Sequence, residues 1–157
     1  MTLRFLICQS KKEPWVEAAK ELFTKKLQAF IAFEIVELKA AKFARDSRQV
    51  TVQLTDEAML KTISPSDVVI LFDENGKDWG SSVAFASQLQ RHLESGKSRL
   101  VFVIGGAYGL GPQMRARAQA SLRLSGFTMS HHVAVTVALE QVYRAFTLIK
   151  HIPYHNE

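Results

Sequence analysis

Residues 100–146 read LVFVIGGAYGLGPQMRARAQASLRLSGFTMSHHVAVTVALEQVYRAF, and this stretch decides the fold. An apolar, β-branched run, Leu100 to Ile104, stops abruptly in Gly105-Gly106. A shorter run, Leu122 to Leu124, stops in Ser125-Gly126. A histidine pair and a long apolar helical pattern follow. Two strand ends that each open into a small-residue loop set those loops side by side at one edge of a sheet. Glycine allows backbone N–H and C=O groups close to a ligand. This edge is therefore the expected site for a flat, polar ligand.

Working outward, strand and helix patterns alternate. Leu3 to Cys8 reads as a buried strand. Pro14 suits the first turn of a helix, and Val16, Ala19, Leu22, Phe23 and Leu27 then recur at helical spacing. Phe33 to Leu38 is a second strand. Between Asp46 and Lys61, Val50, Val52 and Leu54 alternate like a strand, but the length and polarity of the segment favour a helix. Asp67 to Phe72 is a third strand, left through Asn75-Gly76. Ser81 or Ser82 caps a helix to about Leu93. A helix from Pro112 precedes the short fifth strand. The last helix spans about His132 to Lys150, with Pro153 expected to stop it. The alternation predicts an α/β fold, a mostly parallel sheet with helices on both faces.

The chain has 157 residues, of which 47% are hydrophobic, so a single domain over 1–157 with a real core is expected. No apolar run approaches the roughly 20 residues that span a bilayer. The N-terminus lacks the pattern of a signal peptide, and one cysteine, Cys8, excludes an internal disulfide framework. A cytoplasmic location is expected. The formal charge of +5 favours an anionic partner, nucleic acid before membrane.

The motifs narrow the chemistry. Gly106 to Gly111 lacks the lysine of a P-loop, and the glycine spacing does not match a dinucleotide fingerprint. The loop is either a flexible turn or a place of close ligand approach. No G-x-S-x-G occurs, which argues against a nucleophile-elbow hydrolase. Cys8 reads as a small core residue. His131 and His132 are adjacent, and Pro153 separates His151 from His155, so no metal site is expected. Glu140, Tyr143 and Arg144 share one helix face, either as a surface salt bridge or as part of a cleft. Arg115, Arg117 and Arg123 form a solvated face or hold RNA phosphates.

The segments VFVIGGAYGL (101–110), LRLSGFTMSHH (122–132), LEQVYRAF (139–146) and the tail PYH (153–155) resemble the RlmH family of SPOUT-class methyltransferases. The resemblance extends over essentially the whole chain. It implies an S-adenosylmethionine-dependent enzyme that methylates N3 of a pseudouridine in 23S ribosomal RNA on the assembled ribosome. It also implies a deep C-terminal trefoil knot and a homodimer. Carried over by position, the cofactor contacts are Phe72, Gly105, Leu124, Ser125, Gly126, Phe127, Thr128 and Met129. The chain departs from the family pattern at Ser130 and His132, where proline is frequent. It departs also at Val135 and Asn156, where a cation is frequent.

N3 of pseudouridine must lose a proton before or during attack, so a base or an anion-stabilising group belongs nearby. His131, Glu140, Tyr154 and His155 are the candidates, with His155 and Tyr154 ranked first, and Arg144 is the expected phosphate or anion contact. Catalysis is thus assigned to His155, Tyr154, Arg144 and His131. The last helix is apolar on several faces, at Val133, Val135, Val137, Leu139, Val142, Phe146 and Ile149, which also suggests a homodimer. The rival readings are a nucleotide-binding hydrolase and a non-catalytic ribosome- or RNA-binding module with a retained nucleotide-like pocket.

Overall fold

Five apolar runs become five parallel strands, and the polar-faced segments between them become the covering helices. A computed structural model of the chain describes residues 1–9, 11–39 and 47–156. In chain order the elements are β1 (Thr2–Gln9), α1 (Pro14–Gln28), β2 (Ala32–Lys39), α2 (Arg48–Leu60), β3 (Val68–Lys77), α3 (Ser82–Leu93), β4 (Arg99–Ile104), α4 (Pro112–Arg117), β5 (Ala120–Leu122) and α5 (His131–Ile149). The strands lie in the order β2-β1-β4-β3-β5, and every pairing is parallel.

β4 runs through the middle, between β1 and β3, and its residues Leu100 to Ile104 are buried. Residues pointing one way, among them Phe5, Phe72 and Phe102, join apolar side chains of α1, α3 and α5. Residues pointing the other way, among them Leu6, Leu71 and Val103, pack with Met59 of α2 and Met114 of α4. Helices thus cover both faces, as a fully parallel sheet requires. The Phe72 and Phe102 rings stack at 5.0 Å, directly beneath the ends of β3 and β4. No helix among the described residues is long and apolar enough to cross a membrane.

Three boundaries differ from the sequence expectation. First, Asn75-Gly76 does not end β3, which continues to Lys77, where it pairs with Leu122 after an irregular step. A Cβ at Gly76 would lie 2.5 Å from the carbonyl carbon of Leu122. Glycine here admits the neighbouring strand instead of making a turn.

Second, β5 is Ala120–Leu122, two residues earlier than Leu122 to Leu124. Gln119 sets this register: its N–H donates to the Val69 carbonyl at 2.9 Å, and its side-chain oxygen accepts from the Val69 N–H at 2.6 Å. Leu124 therefore belongs to the loop.

Third, α5 ends at Ile149, before Pro153 acts. His151 adopts a left-handed conformation, φ 56°. His151 N–H donates to Leu148 O at 3.2 Å, and Ile152 N–H to Thr147 O at 2.8 Å. These two bonds form a Schellman closure, and they turn the tail back along α5.

The ambiguous segment is a helix, α2, capped by Ser47, whose hydroxyl accepts from Val50 N–H at 3.3 Å. Asp46, the expected edge of this helix, lies outside the described residues. On α5 the chain itself buries Val135, Leu139, Val142 and Phe146, while Val133 stays exposed. Most of the apolar circumference of α5 is therefore consumed by its own domain.

Candidate active site

The carboxyl ends of β4, β3 and β5 face one edge of the sheet, where open α/β sheets bind ligands. Phe72 ends the apolar part of β3 and Ile104 ends β4. They line a small cleft of about 80 Å³ together with Asp73, Glu74, Leu124, Ser125, Phe127, Met129 and Ala134. Phe72 and Leu124 also line an adjoining cavity of about 290 Å³ that reaches Trp79, Ser82 and Gln141. Phe127 is 86% exposed.

The loop Leu124–Met129 is short of internal partners. Its only hydrogen bond among the described residues runs from Phe127 N–H to Ser125 Oγ at 2.9 Å. Its remaining N–H and C=O groups are open to solvent or a ligand. A Cβ at Gly126 would meet nothing within 4 Å, so this glycine leaves space above the loop.

Gly105 differs. A Cβ there would lie 2.8 Å from the Gly109 carbonyl. The loop from Gly105 to Gly111 closes on itself, with a bridge between Gly106 and Gly109, and that closure demands glycine. The Gly105 carbonyl is within 2.9 Å of His131 Nδ1, so the imidazole N–H donates to it. Burial pushes the His131 pKa down, more than the bond to Gly105 raises it. His131 thus anchors the loop as a neutral ring. Asp56 of α2, 1% exposed, holds the far end of the same loop by accepting from Gly111 N–H and Met114 N–H, both at 3.0 Å.

The tail forms a second cluster. The Tyr154 phenol donates to Glu140 Oε1 at 3.0 Å. Arg144 pairs with the same carboxylate, and its guanidinium lies 4.7 Å from the Tyr154 ring centre. Arg144 Nη1 is 3.2 Å from His155 Nδ1. Arginine only donates, so His155 Nδ1 accepts and the proton of the neutral ring sits on Nε2. Tyr143 meets Tyr154 edge-on at 4.9 Å. Burial, then the bond to Glu140, raises the Tyr154 pKa, and the bond to Glu140 raises that of Arg144.

Three of the four expected catalytic residues, Tyr154, His155 and Arg144, therefore meet around Glu140. The fourth, His131, does not. It lies 13 positions before Arg144 on α5, roughly 20 Å along the axis at 1.5 Å per residue. Within one chain it belongs to the cleft end, and its ring is spent on Gly105.

The three arginines are each engaged. Arg115 pairs with Asp73 at 2.7 Å, Arg117 donates to the carbonyls of Ser64 and Asp67, and Arg123 pairs with Asp78. Asp73, Glu74, Ile104 and Ala134 are cleft residues that the sequence reading does not assign to the site. The first two had a signal, as the first polar residues past an apolar strand at its carboxyl end. Asp56 had none, because its role depends on α2 meeting α4.

A cleft at the carboxyl edge of a five-stranded parallel sheet defines a ligand-binding α/β protein. The family described as Predicted SPOUT methyltransferase matches residues 1–155, and the chain belongs to it. A Bdellovibrio bacteriovorus protein named Ribosomal RNA large subunit methyltransferase H is 44% identical over 145 residues, covering 92% of each chain. A protein of the same name from Christiangramia forsetii is 36% identical over 159 residues, covering 99% of each. Among solved structures, one described as a probable methyltransferase from Bordetella pertussis Tohama I superposes with a TM-score of 0.56. It is 14% identical, with 91% of this chain and 95% of that one covered; it supports the fold alone.

Proposed function

We propose that this protein transfers a methyl group from S-adenosylmethionine to N3 of a pseudouridine in large-subunit ribosomal RNA. The observation that carries the reading is the loop Leu124–Met129, with its unspent backbone groups beside Phe72 and Ile104. The donor set fits the cofactor. Main-chain N–H and C=O groups suit the polar edge of adenine, apolar side chains suit its face, and the rim carboxylate of Glu74 suits a cationic ligand. Phe72, Gly105 and residues 124–129 would hold it, and when bound it supplies an electrophilic methyl on a sulfonium leaving group.

The rest of the chemistry falls to the chain. The cleft aligns the reactants and excludes water. The tail cluster deals with the proton of N3 and the charge left behind. His155 presents Nε2–H, and Arg144 carries a fixed positive charge; both favour an anionic pyrimidine. Glu140, already hydrogen-bonded to Tyr154, is a proton acceptor one bond removed.

Ala134 of the cleft and Arg144 of the tail cluster lie roughly 15 Å apart along α5 at 1.5 Å per residue. A homodimer in which the tail of one protomer meets the cleft of the other brings donor and acceptor groups together. The knotted C-terminal path belongs to this same reading, as does a cytoplasmic enzyme working on assembled ribosomes. Labelled S-adenosylmethionine incubated with intact ribosomes, separated subunits and naked RNA tests it. Methyl incorporation at a pseudouridine N3 is expected. Cofactor binding without transfer to any of the three favours the non-catalytic binding module instead.

A further inference from the structure

A second feature of the same edge is not used by the chemistry above. The loop from Gly105 to Gly111 carries Tyr108 at its tip, half-exposed. The guanidinium of Arg48, on the first turn of α2, lies 5.5 Å from the centre of the Tyr108 ring. Beside this pair runs a groove of about 600 Å³ between α2 and α4. Its lining includes Arg48, Gln49, Gln53, Gln113 and Arg115, over a floor of Val52 and Leu110. The one carboxylate in it, Asp56, is buried and occupied by two backbone N–H groups. Arg115 uses Nε and Nη2 on Asp73. Asp73 in turn lines the cleft at the end of β3, so this ion pair links groove and cleft.

An exposed aromatic ring with an arginine on it, flanked by side-chain amides and a second arginine, is the chemistry that recognises unpaired nucleotides. Bases stack on aromatic faces, amides read base edges, and arginines meet phosphates. A duplex keeps its base faces stacked on one another and so offers none to the Tyr108 ring. We propose that Tyr108 and Arg48 form a single-stranded RNA subsite, which holds a nucleotide neighbouring the target base. The subsite rests on the reading of the protein as an RNA methyltransferase, and it sets substrate affinity and not the methyl-transfer step. Arg48 shifts off the ring or sandwiches a base against it, and the groove between α2 and α4 takes the adjoining backbone.

Fluorescence anisotropy with the full-length protein and a labelled ten-nucleotide, uridine-rich single-stranded RNA tests this, with a duplex of the same length as comparison. Tyr108→Ala is expected to weaken single-strand binding about tenfold, in line with the loss of one stacked base. Tyr108→Phe keeps the ring and is expected within about twofold of the parent. Arg48→Ala, which lies on a helix outside the glycine loop, is expected to weaken binding by several-fold. Affinity for S-adenosylmethionine, measured by calorimetry, is expected to be unchanged in all three. On ribosomes, Tyr108→Ala is expected to raise KM with kcat nearly kept.

Parental affinity in both Tyr108→Ala and Arg48→Ala overturns the subsite, as does equal weakening for duplex and single strand. If the parent transfers no methyl group but still loses single-strand binding on Tyr108→Ala, the subsite stands and the enzymatic reading falls.

Discussion

The phenol of Tyr154 donates to Glu140 Oε1 across 3.0 Å, and this bond joins the extreme C-terminus to the middle of α5. The Schellman closure at His151 aims the tail, and Arg144 and the edge-on contact with Tyr143 fasten it. Disorder is the ordinary state of a chain end; here four side chains oppose it.

Deleting residues Tyr154 to Glu157 is expected to abolish methyl transfer while S-adenosylmethionine affinity stays within a few-fold. The cleft is built from residues 72–134 and contains none of the tail. Filter-based transfer assays and calorimetry on one preparation separate the two effects. Full transfer by the truncated protein removes the tail from catalysis. Activity regained on mixing the truncated chain with a Gly105→Val chain, whose tail is intact and whose cleft is altered, supports a site shared between protomers. Light scattering that returns a monomer mass at micromolar concentration counts against such sharing.

Gly105→Val is expected to lower cofactor affinity at least tenfold, about 1.4 kcal/mol, with the fold retained. The added Cβ meets the Gly109 carbonyl at 2.8 Å, so the Gly105 to Gly111 loop must shift. Gly126→Ala is the matched control. Its Cβ meets nothing within 4 Å, so thermal stability should be unchanged, and any loss of cofactor binding reports directly on the ligand. Calorimetry on both variants checks the pair.

Asp56→Ala is expected to cost about 3 kcal/mol in urea denaturation, because two buried N–H groups, of Gly111 and Met114, lose their acceptor together. Asp56→Asn keeps one acceptor oxygen and should recover part of that loss. A cost below about 1 kcal/mol for Asp56→Ala would mean that water replaces the carboxylate.

His131 makes stability depend on pH. Burial lowers its pKa in the folded state against the smaller opposing effect of the Gly105 bond. The unfolded chain therefore binds more protons at this position below about pH 6.5, and stability falls as pH drops from there toward the folded value. Above about pH 6.5 the contribution is fully present. In His131→Asn this part of the slope should vanish. His92, also lowered by burial, is kept in both proteins, so the difference between their denaturation curves at pH 5.5 and 8 isolates His131. Parallel curves would show that the ring titrates normally.

The order of apolar and polar-faced segments along the whole sequence by itself determined the α/β alternation, the parallel sheet and the loops at its edge. The reason is that these features are local. Apolar runs of strand length, glycines at strand ends and the serine cap at position 81 act over a few residues. The Ser125-Gly126 loop at the sheet edge was legible for the same reason, and so was the shared face of Glu140 and Arg144, which helical spacing dictates. Only the tertiary structure decided that Asn75-Gly76 stays in a strand, since that depends on Leu122 approaching from 46 positions away. It alone decided that Asp56 caps α4, that His131 is spent on Gly105 and that Tyr154 and His155 gather on Arg144. Each of these rests on side chains brought together from distant parts of the chain. No local pattern encodes such a meeting, because its energy comes from burial and hydrogen bonds that exist only once the sheet and its helices have packed.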